Sequence, residues 1–281
     1  MTTNRNDPCP PLVLVFAASD PTGGAGIQAD MMALAGMGCH PLTVITALTV
    51  QDTAGVQDIS PVDENFVAQQ AWAVLEDMSV QAFKLGVLGS AENIAMIAGI
   101  IADYPHVPVI VDPVVASGRG DELASERMLE ALCELILPQT SVITPNTMEA
   151  RRLAACLVGR TDELTLPDCA GALLRAGCEH VLITGSHAST PQVVNTLYGH
   201  GGVTRTDLWE RLPGNYHGSG CTLASALAAA LAHGLEISEA VREAQAFTWQ
   251  TLAHAFRPGM GQSIPDRFFR ARGALAGGDR C

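Results

Sequence analysis

Leu12-Val13-Leu14-Val15-Phe16-Ala17-Ala18, followed at once by Ser19-Asp20-Pro21-Thr22-Gly23-Gly24-Ala25-Gly26 and then Ile27-Gln28-Ala29-Asp30, reads as a buried strand, a glycine-rich turn and a helix start. The same order recurs along the chain. Short apolar, β-rich runs at Leu42 to Ala47, Ala82 to Leu88, Val107 to Val111, Ser141 to Thr144 and His180 to Thr184 each precede a stretch of helical period or composition. Such alternation predicts a mostly parallel sheet with helices on both faces. One segment breaks the rule: in Val193 to Leu212, Gly199-His200-Gly201-Gly202 joins two strand-like runs and predicts a hairpin that adds a small antiparallel edge. Helices are expected over Ser219 to His233 and Ser238 to His254, before a Pro/Gly-punctuated stretch from Arg257.

With 281 residues, 48% of them hydrophobic, and no linker-like composition, the chain reads as a single domain over 1–281, with 1–11 and 266–281 as peripheral tails. A net charge of -13 disfavours nucleic acid and anionic membranes as partners, so any phosphate site must be built locally. The run Leu12 to Ala18 is too short to span a bilayer and lacks the basic flank of a signal peptide. Eight cysteines without a C-x-x-C pair or zinc spacing fit reduced thiols in the cytoplasm.

In open parallel sheets ligands bind beyond the carboxyl ends of the strands, and the candidate motifs fall there. Gly218-Ser219-Gly220-Cys221-Thr222 runs into an alanine-rich helix, exposing backbone N–H groups to an anion at the positive helix end. Ser219 adds a hydroxyl, and at that helix end a Cys221 thiolate is expected to be favoured. A glycine-rich helix start with a packed cysteine is the alternative. The loop at 19–26 is not a dinucleotide fingerprint, and a Walker P-loop is excluded because the sole lysine, Lys84, stands between Phe83 and Leu85. Lysine inside an apolar run requires a partner or an exit to solvent. Asp112 and Glu149 follow buried strands and could hold hydrated Mg2+, which takes one or two carboxylates plus waters and phosphates. As plain structure they would be a turn former before Pro113 and a first-turn helix charge. His217 and His187 flank glycine loops and read as polar contacts.

Taken in order, Ser19 to Asp30, Val44 to Thr53, Lys84-Leu85-Gly86-Val87-Leu88-Gly89-Ser90, Asp112-Pro113-Val114-Val115, Thr144 to Ala150 and His217 to Leu223 resemble the hydroxymethylpyrimidine/phosphomethylpyrimidine kinases of thiamine biosynthesis. The likeness runs from about Leu12 to Pro265. It implies a ribokinase-like α/β fold, a homodimer, and transfer of the ATP γ-phosphoryl group, with Mg2+, first to 4-amino-5-hydroxymethyl-2-methylpyrimidine and then to its monophosphate. By that resemblance Cys221 is the catalytic residue within the Gly218-Ser219-Gly220 anion hole. Asp30 and Gln51 contact the pyrimidine between apolar walls at Val87 and Val114. Asn146, Thr184 and Gly220 face the nucleotide, and Asp112 and Glu149 the metal. An amide such as Gln51 can donate to a ring nitrogen and accept from an exocyclic amine.

The departures are Thr184-Gly185-Ser186-His187, where the family commonly carries a lysine, Ala18 and Val87 for a glycine and a methionine, and Arg119 in a loop lacking the usual lysine. A pyridoxal or pyridoxine kinase of the same fold, a non-catalytic ligand sensor and a cysteine-histidine hydrolase using Cys221 and His217 are the competing readings.

Overall fold

The computed structural model describes residues 9–115, 124–159, 164–185 and 190–272. Among them, nine strands form one sheet: β1 (Leu12–Ser19), β2 (His40–Gln51), β3 (Val56–Pro61), β4 (Ala82–Leu85), β5 (Val109–Val111), β6 (Val142–Ile143), β7 (His180–Ile183), β8 (Gln192–Gly199) and β9 (Gly202–Glu210). Their spatial order is β3-β2-β1-β4-β5-β6-β7-β8-β9. The six from β2 to β7 run parallel, as the alternation predicts, and β8–β9 is the expected hairpin.

The sequence reading missed β3, which pairs antiparallel with β2 and gives the sheet a second antiparallel edge. Val56-Gln57-Asp58-Ile59-Ser60-Pro61 shows no apolar run because, as an edge strand, it buries neither face.

The helices are α1 (Gly26–Gly36), α2 (Glu64–Leu75), α3 (Ala91–Ala102), α4 (Glu126–Ala131), α5 (Thr147–Val158), α6 (Leu166–Arg175), α7 (Ser219–Ala232) and α8 (Ile237–Ala253). A π-helical turn, Leu132–Ile136, and a 3-10 turn, Leu137–Gln139, extend α4. Strand alternation divides the core in two. Leu14, Phe16, Phe83, Leu85 and Val111 meet the layer of α2 to α6, while Val13, Val15, Ala17, Ala82 and Ile110 meet α1, α7 and α8. Helix α7 can lie flat on the sheet because every residue from Cys221 to Ala230 is buried and half of them are alanine.

Lys84 shares the parity of Ala82, so its side chain enters the α1/α7 layer. There it is fully buried and its Nζ donates to Asp30 Oδ2 on α1 at 2.9 Å. Ser225 on α7 donates to Asp30 Oδ1 at 2.7 Å, so one ion pair ties a central strand to two helices. Gly86 is required beside it, since a Cβ there would stand 2.8 Å from the Lys84 amine.

The chain leaves β1 for β2 on one side and returns to β4 on the other, which opens the crevice between the carboxyl ends of β1 and β4. The tail expected from residue 266 begins later: Asp266 and Arg267 are buried, because Arg267 is drawn under the glycine loops.

Removing one partner of a buried ion pair strands the other charge. Lys84→Met is therefore expected to cost roughly 3–5 kcal/mol in urea unfolding, with the Lys84→Met/Asp30→Leu double variant losing less than either single change.

Candidate active site

The first glycine loop is organised by one carboxylate. Asp20 Oδ1 accepts from the Thr22 backbone N–H at 2.8 Å, and Oδ2 accepts from Thr22 Oγ1 at 2.9 Å and the Ala25 N–H at 2.7 Å. His217 Nε2 reaches the same Oδ2 at 2.8 Å, linking this loop to the one before α7. Burial opposes ionisation of Asp20, but the His217 bond and the Ala25 and Thr22 donors outweigh it and hold the carboxyl down at about 2. An ionised Asp20 needs a donor, so His217 carries a proton on Nε2. Gln51 Nε2 lies 3.2 Å from that nitrogen, and because a protonated Nε2 cannot accept, the amide is assigned the other way round, with its oxygen towards His217. A register shift between Val50 and Gln51 in the β2–β3 pairing places Gln51 at a bulge, the usual device for re-aiming a side chain.

The second loop touches the first. Gly218 has φ of 79°, and a Cβ on it would stand 1.9 Å from Gly24 O, so only glycine allows this contact. Five helices, α2 to α6, have side-chain caps from Asp63, Ser90, Ser125, Asn146 and Thr165. Helices α1 and α7, like α8, have none, and the N-termini of α1 and α7 converge here, the first N–H of α1, on Gly26, being turned to the Cys221 sulfur.

Cys221, the third residue of α7, lies with Asp112, Lys84 and Asp30. Its surroundings reverse the expected favouring of the thiolate. Burial, then the Asp112 carboxylate, push the thiol well above its ordinary range, and the helix end with Lys84 does not compensate. Asp112 sits beyond β5 with Oδ2 4.0 Å from Lys84 Nζ, and that oxygen is buried without a hydrogen-bond partner. Burial raises the Asp112 carboxyl against the pull of Lys84. Burial would likewise depress the Lys84 amine, but Asp30 and the other neighbouring acids more than offset it, so the lysine stays protonated.

Glu149 and Asn146 form a capping box at the start of α5, with Asn146 N donating to Glu149 Oε2 at 2.8 Å and Asn146 Oδ1 accepting from the Glu149 and Met148 N–H groups. Burial and then Asp112 raise the Glu149 carboxyl to about 8, so the two acids share one neighbourhood. No cluster of three or more His, Cys, Asp or Glu ligands exists among the described residues. Two carboxylates, one with an unpartnered oxygen, nevertheless suit a hydrated Mg2+ that completes its shell from water and phosphate. Thr184 bridges to Asn146 across the ends of β6 and β7.

Val87 and Val114 line a small apolar pocket with Gly86, Leu88, Ile94 and Pro113, on the α3/α4 side of the sheet. Thr46 fixes the turn there by donating to Val87 O at 2.6 Å. Asp30, expected at the pyrimidine, is fully buried, with one carboxylate oxygen accepting from Lys84 and the other from Ser225. Arg119, Ser186 and His187 lie outside the described residues.

The structure also joins a residue that no motif flagged. Arg267 donates to Gly24 O at 2.6 Å, to Gly23 O and Gly218 O at 3.3 Å, and from Nε to Thr222 Oγ1 at 3.0 Å. Its only sequence signal is an arginine next to two aromatics, Phe268 and Phe269.

Residues 20–266 match the model of the family described as phosphomethylpyrimidine kinase. The chain is 40% identical over 264 residues to a hydroxymethylpyrimidine/phosphomethylpyrimidine kinase of Mycobacterium tuberculosis, covering 93% of this chain and 95% of that protein. Among solved structures, the phosphomethylpyrimidine kinase of Clostridium difficile superposes with a TM-score of 0.73 at 31% identity, over 86% of this chain and 99% of that one. The pyridoxal kinase of Staphylococcus aureus in complex with pyridoxal gives a TM-score of 0.84 at 25% identity, over 94% and 96%.

The depressed Asp20 carboxyl stabilises the fold fully above the unfolded value near 4 and loses that contribution as pH falls towards 2. Asp20→Asn should cost on the order of 2 kcal/mol at pH 7 and flatten the fall in stability between about pH 4 and 2, read from thermal melts across that range.

Proposed function

Because this chain belongs to the phosphomethylpyrimidine kinase family, we propose that it phosphorylates 4-amino-5-hydroxymethyl-2-methylpyrimidine and then the monophosphate, supplying the diphosphate for thiamine biosynthesis. The observation that carries the reading is the convergence of two helix N-termini without side-chain caps on Cys221, beside an Asp112 oxygen that accepts no hydrogen bond among the described residues. That arrangement is an anion cradle next to a cation site, which is what phosphoryl transfer requires, since positioning and charge stabilisation supply most of its catalysis.

In this reading the Gly218-Ser219-Gly220 N–H groups hold the transferring phosphoryl oxygens. Gln51, turned by His217, reads the aminopyrimidine edge, and Val87 and Val114 enclose its ring. Asn146 and Thr184 adjoin the nucleotide. Asp112 and Glu149 would hold Mg2+, which when bound offsets charge on the ATP phosphates. Asp30 keeps Lys84 charged under the site.

Cys221 is the group placed to receive the hydroxyl proton in the first transfer. With its thiol pushed upwards, it is a strong proton acceptor once ionised but holds little standing thiolate at neutral pH. The second acceptor is already anionic and needs no base.

Seven free cysteines among the described residues support a reducing, cytoplasmic setting. No helix among them is long and apolar enough to cross a membrane. Exposed Leu48 and Val50 on β2 and Phe66 on α2 support pairing of two copies at that edge. Pyridoxal kinase is the second reading, favoured by the likeness to the Staphylococcus aureus enzyme.

An ADP-release assay with Mg2+ and ATP, offering hydroxymethylpyrimidine, its monophosphate and pyridoxal separately, tests the assignment. Turnover of both pyrimidines is expected, and turnover of pyridoxal alone would sink it. Cys221→Ala should slow the first transfer by about 10²-fold, the scale of a general base, and the second far less. Equal losses in the two steps would remove the cysteine as a base.

A further inference from the structure

Arg267 is 2% exposed, and all four of its hydrogen bonds go to neutral acceptors: three carbonyls on the two glycine loops and the Thr222 hydroxyl. A guanidinium needs no such burial to cap a loop, and charged groups are rarely fully buried without an anionic partner. Burial pulls it down only to about 10, so it remains a cation at neutral pH. The carboxylates nearest it, Asp30 and Asp20, make no hydrogen bond to it.

The bonds also set peptide orientation. In a trans peptide the C=O and the following N–H point in opposite directions. Gly218 O accepts from the Thr222 N–H at 3.0 Å, from Thr222 Oγ1 at 2.7 Å and from Arg267 at 3.3 Å, so helix and arginine together turn the Ser219 N–H away from Arg267, towards the open end of α7. Gly24 O and Gly218 O are held by the same terminal nitrogen, and the two loops are in backbone contact that only glycine at 218 allows, so the guanidinium ties both loops to one point.

We infer that Arg267 is a positioning residue for phosphoryl transfer, locking the two glycine loops into one cradle and placing a fixed positive charge beneath the anion they hold. This rests on the kinase reading and extends it to a difference between the two acceptors. The hydroxymethyl substrate brings a neutral group to the cradle, whereas the monophosphate brings an anion that gains from the buried charge.

The test compares wild type, Arg267→Lys and Arg267→Gln by kcat and KM for both pyrimidines, with thermal melts to verify folding. In Arg267→Gln the KM for the monophosphate should rise about tenfold more than that for the hydroxymethylpyrimidine, the worth of about one charge-assisted contact. Arg267→Lys, which keeps the charge but not the fork, should keep the wild-type ratio of the two KM values while lowering both kcat values. Proportional changes for both substrates in a folded Arg267→Gln would overturn the inference. Should that variant fail to fold, a shifted KM ratio in Arg267→Lys overturns it and an unshifted ratio with reduced kcat supports it. If wild type turns over neither pyrimidine, the kinase reading fails, and calorimetry with inorganic pyrophosphate decides Arg267 independently. Binding about tenfold weaker in Arg267→Gln than in wild type sustains the fixed charge, and equal binding ends it.

Discussion

The buried pair of Lys84 and Asp30 is the constraint from which the site follows. Its amine lies on the strand next to the crevice, its carboxylate on the helix that follows the first glycine loop, and Ser225 on α7 completes the carboxylate. Each charge is fully buried, so neither tolerates loss of the other. Helices α1 and α7 are thereby fixed in height and rotation against β4. Their N-termini can meet only because that placement is set, and Gly24 and Gly218 are the point where they meet. The same amine lies 4.0 Å from Asp112, so the pair also reaches the acid that adjoins the cation position.

A protein of net charge -13 that binds phosphorylated compounds gains nothing from long-range steering. At physiological salt, charges beyond about 8 Å are largely screened, so what a ligand feels at the end of its approach is local. Here the local field comes from two helix ends and the buried Arg267, the charge of Lys84 being offset by Asp30. None of these depends on a mobile surface side chain. The acidic exterior and the cationic floor are separate properties of one chain.

How much of this was readable beforehand follows from burial. Parallel strands covered on both faces show as unbroken apolar runs, and β1, β4, β5 and β7 were visible for that reason. Strand β3 buries neither face and left no trace. Lys84 was conspicuous as a lysine in an apolar run, but its partner was not, because a carboxylate one turn into a helix can face a ligand or the sheet, and Asp30 faces the sheet. The helix end beside Cys221 can be seen in sequence, whereas the desolvation that outweighs it is a property of assembled neighbours. Arg267 was hidden by distance: its bonds to Gly23 and Gly24 span more than two hundred positions, and nothing in its local composition distinguishes it from a tail.

The contact between Gly24 and Gly218 has an evolutionary side. With the hypothetical Cβ of Gly218 only 1.9 Å from Gly24 O, any side chain at that position collides with backbone that no rotamer change can move. The phosphoryl end of the crevice therefore has no gradual route by which to drift. The apolar pocket of Val87 and Val114 lies on the other layer of the sheet, against α3 and α4, where side chains differing by a methylene or two can exchange at modest cost. Selection acting on this fold can thus explore new ring systems at one end while inheriting the transfer chemistry intact at the other.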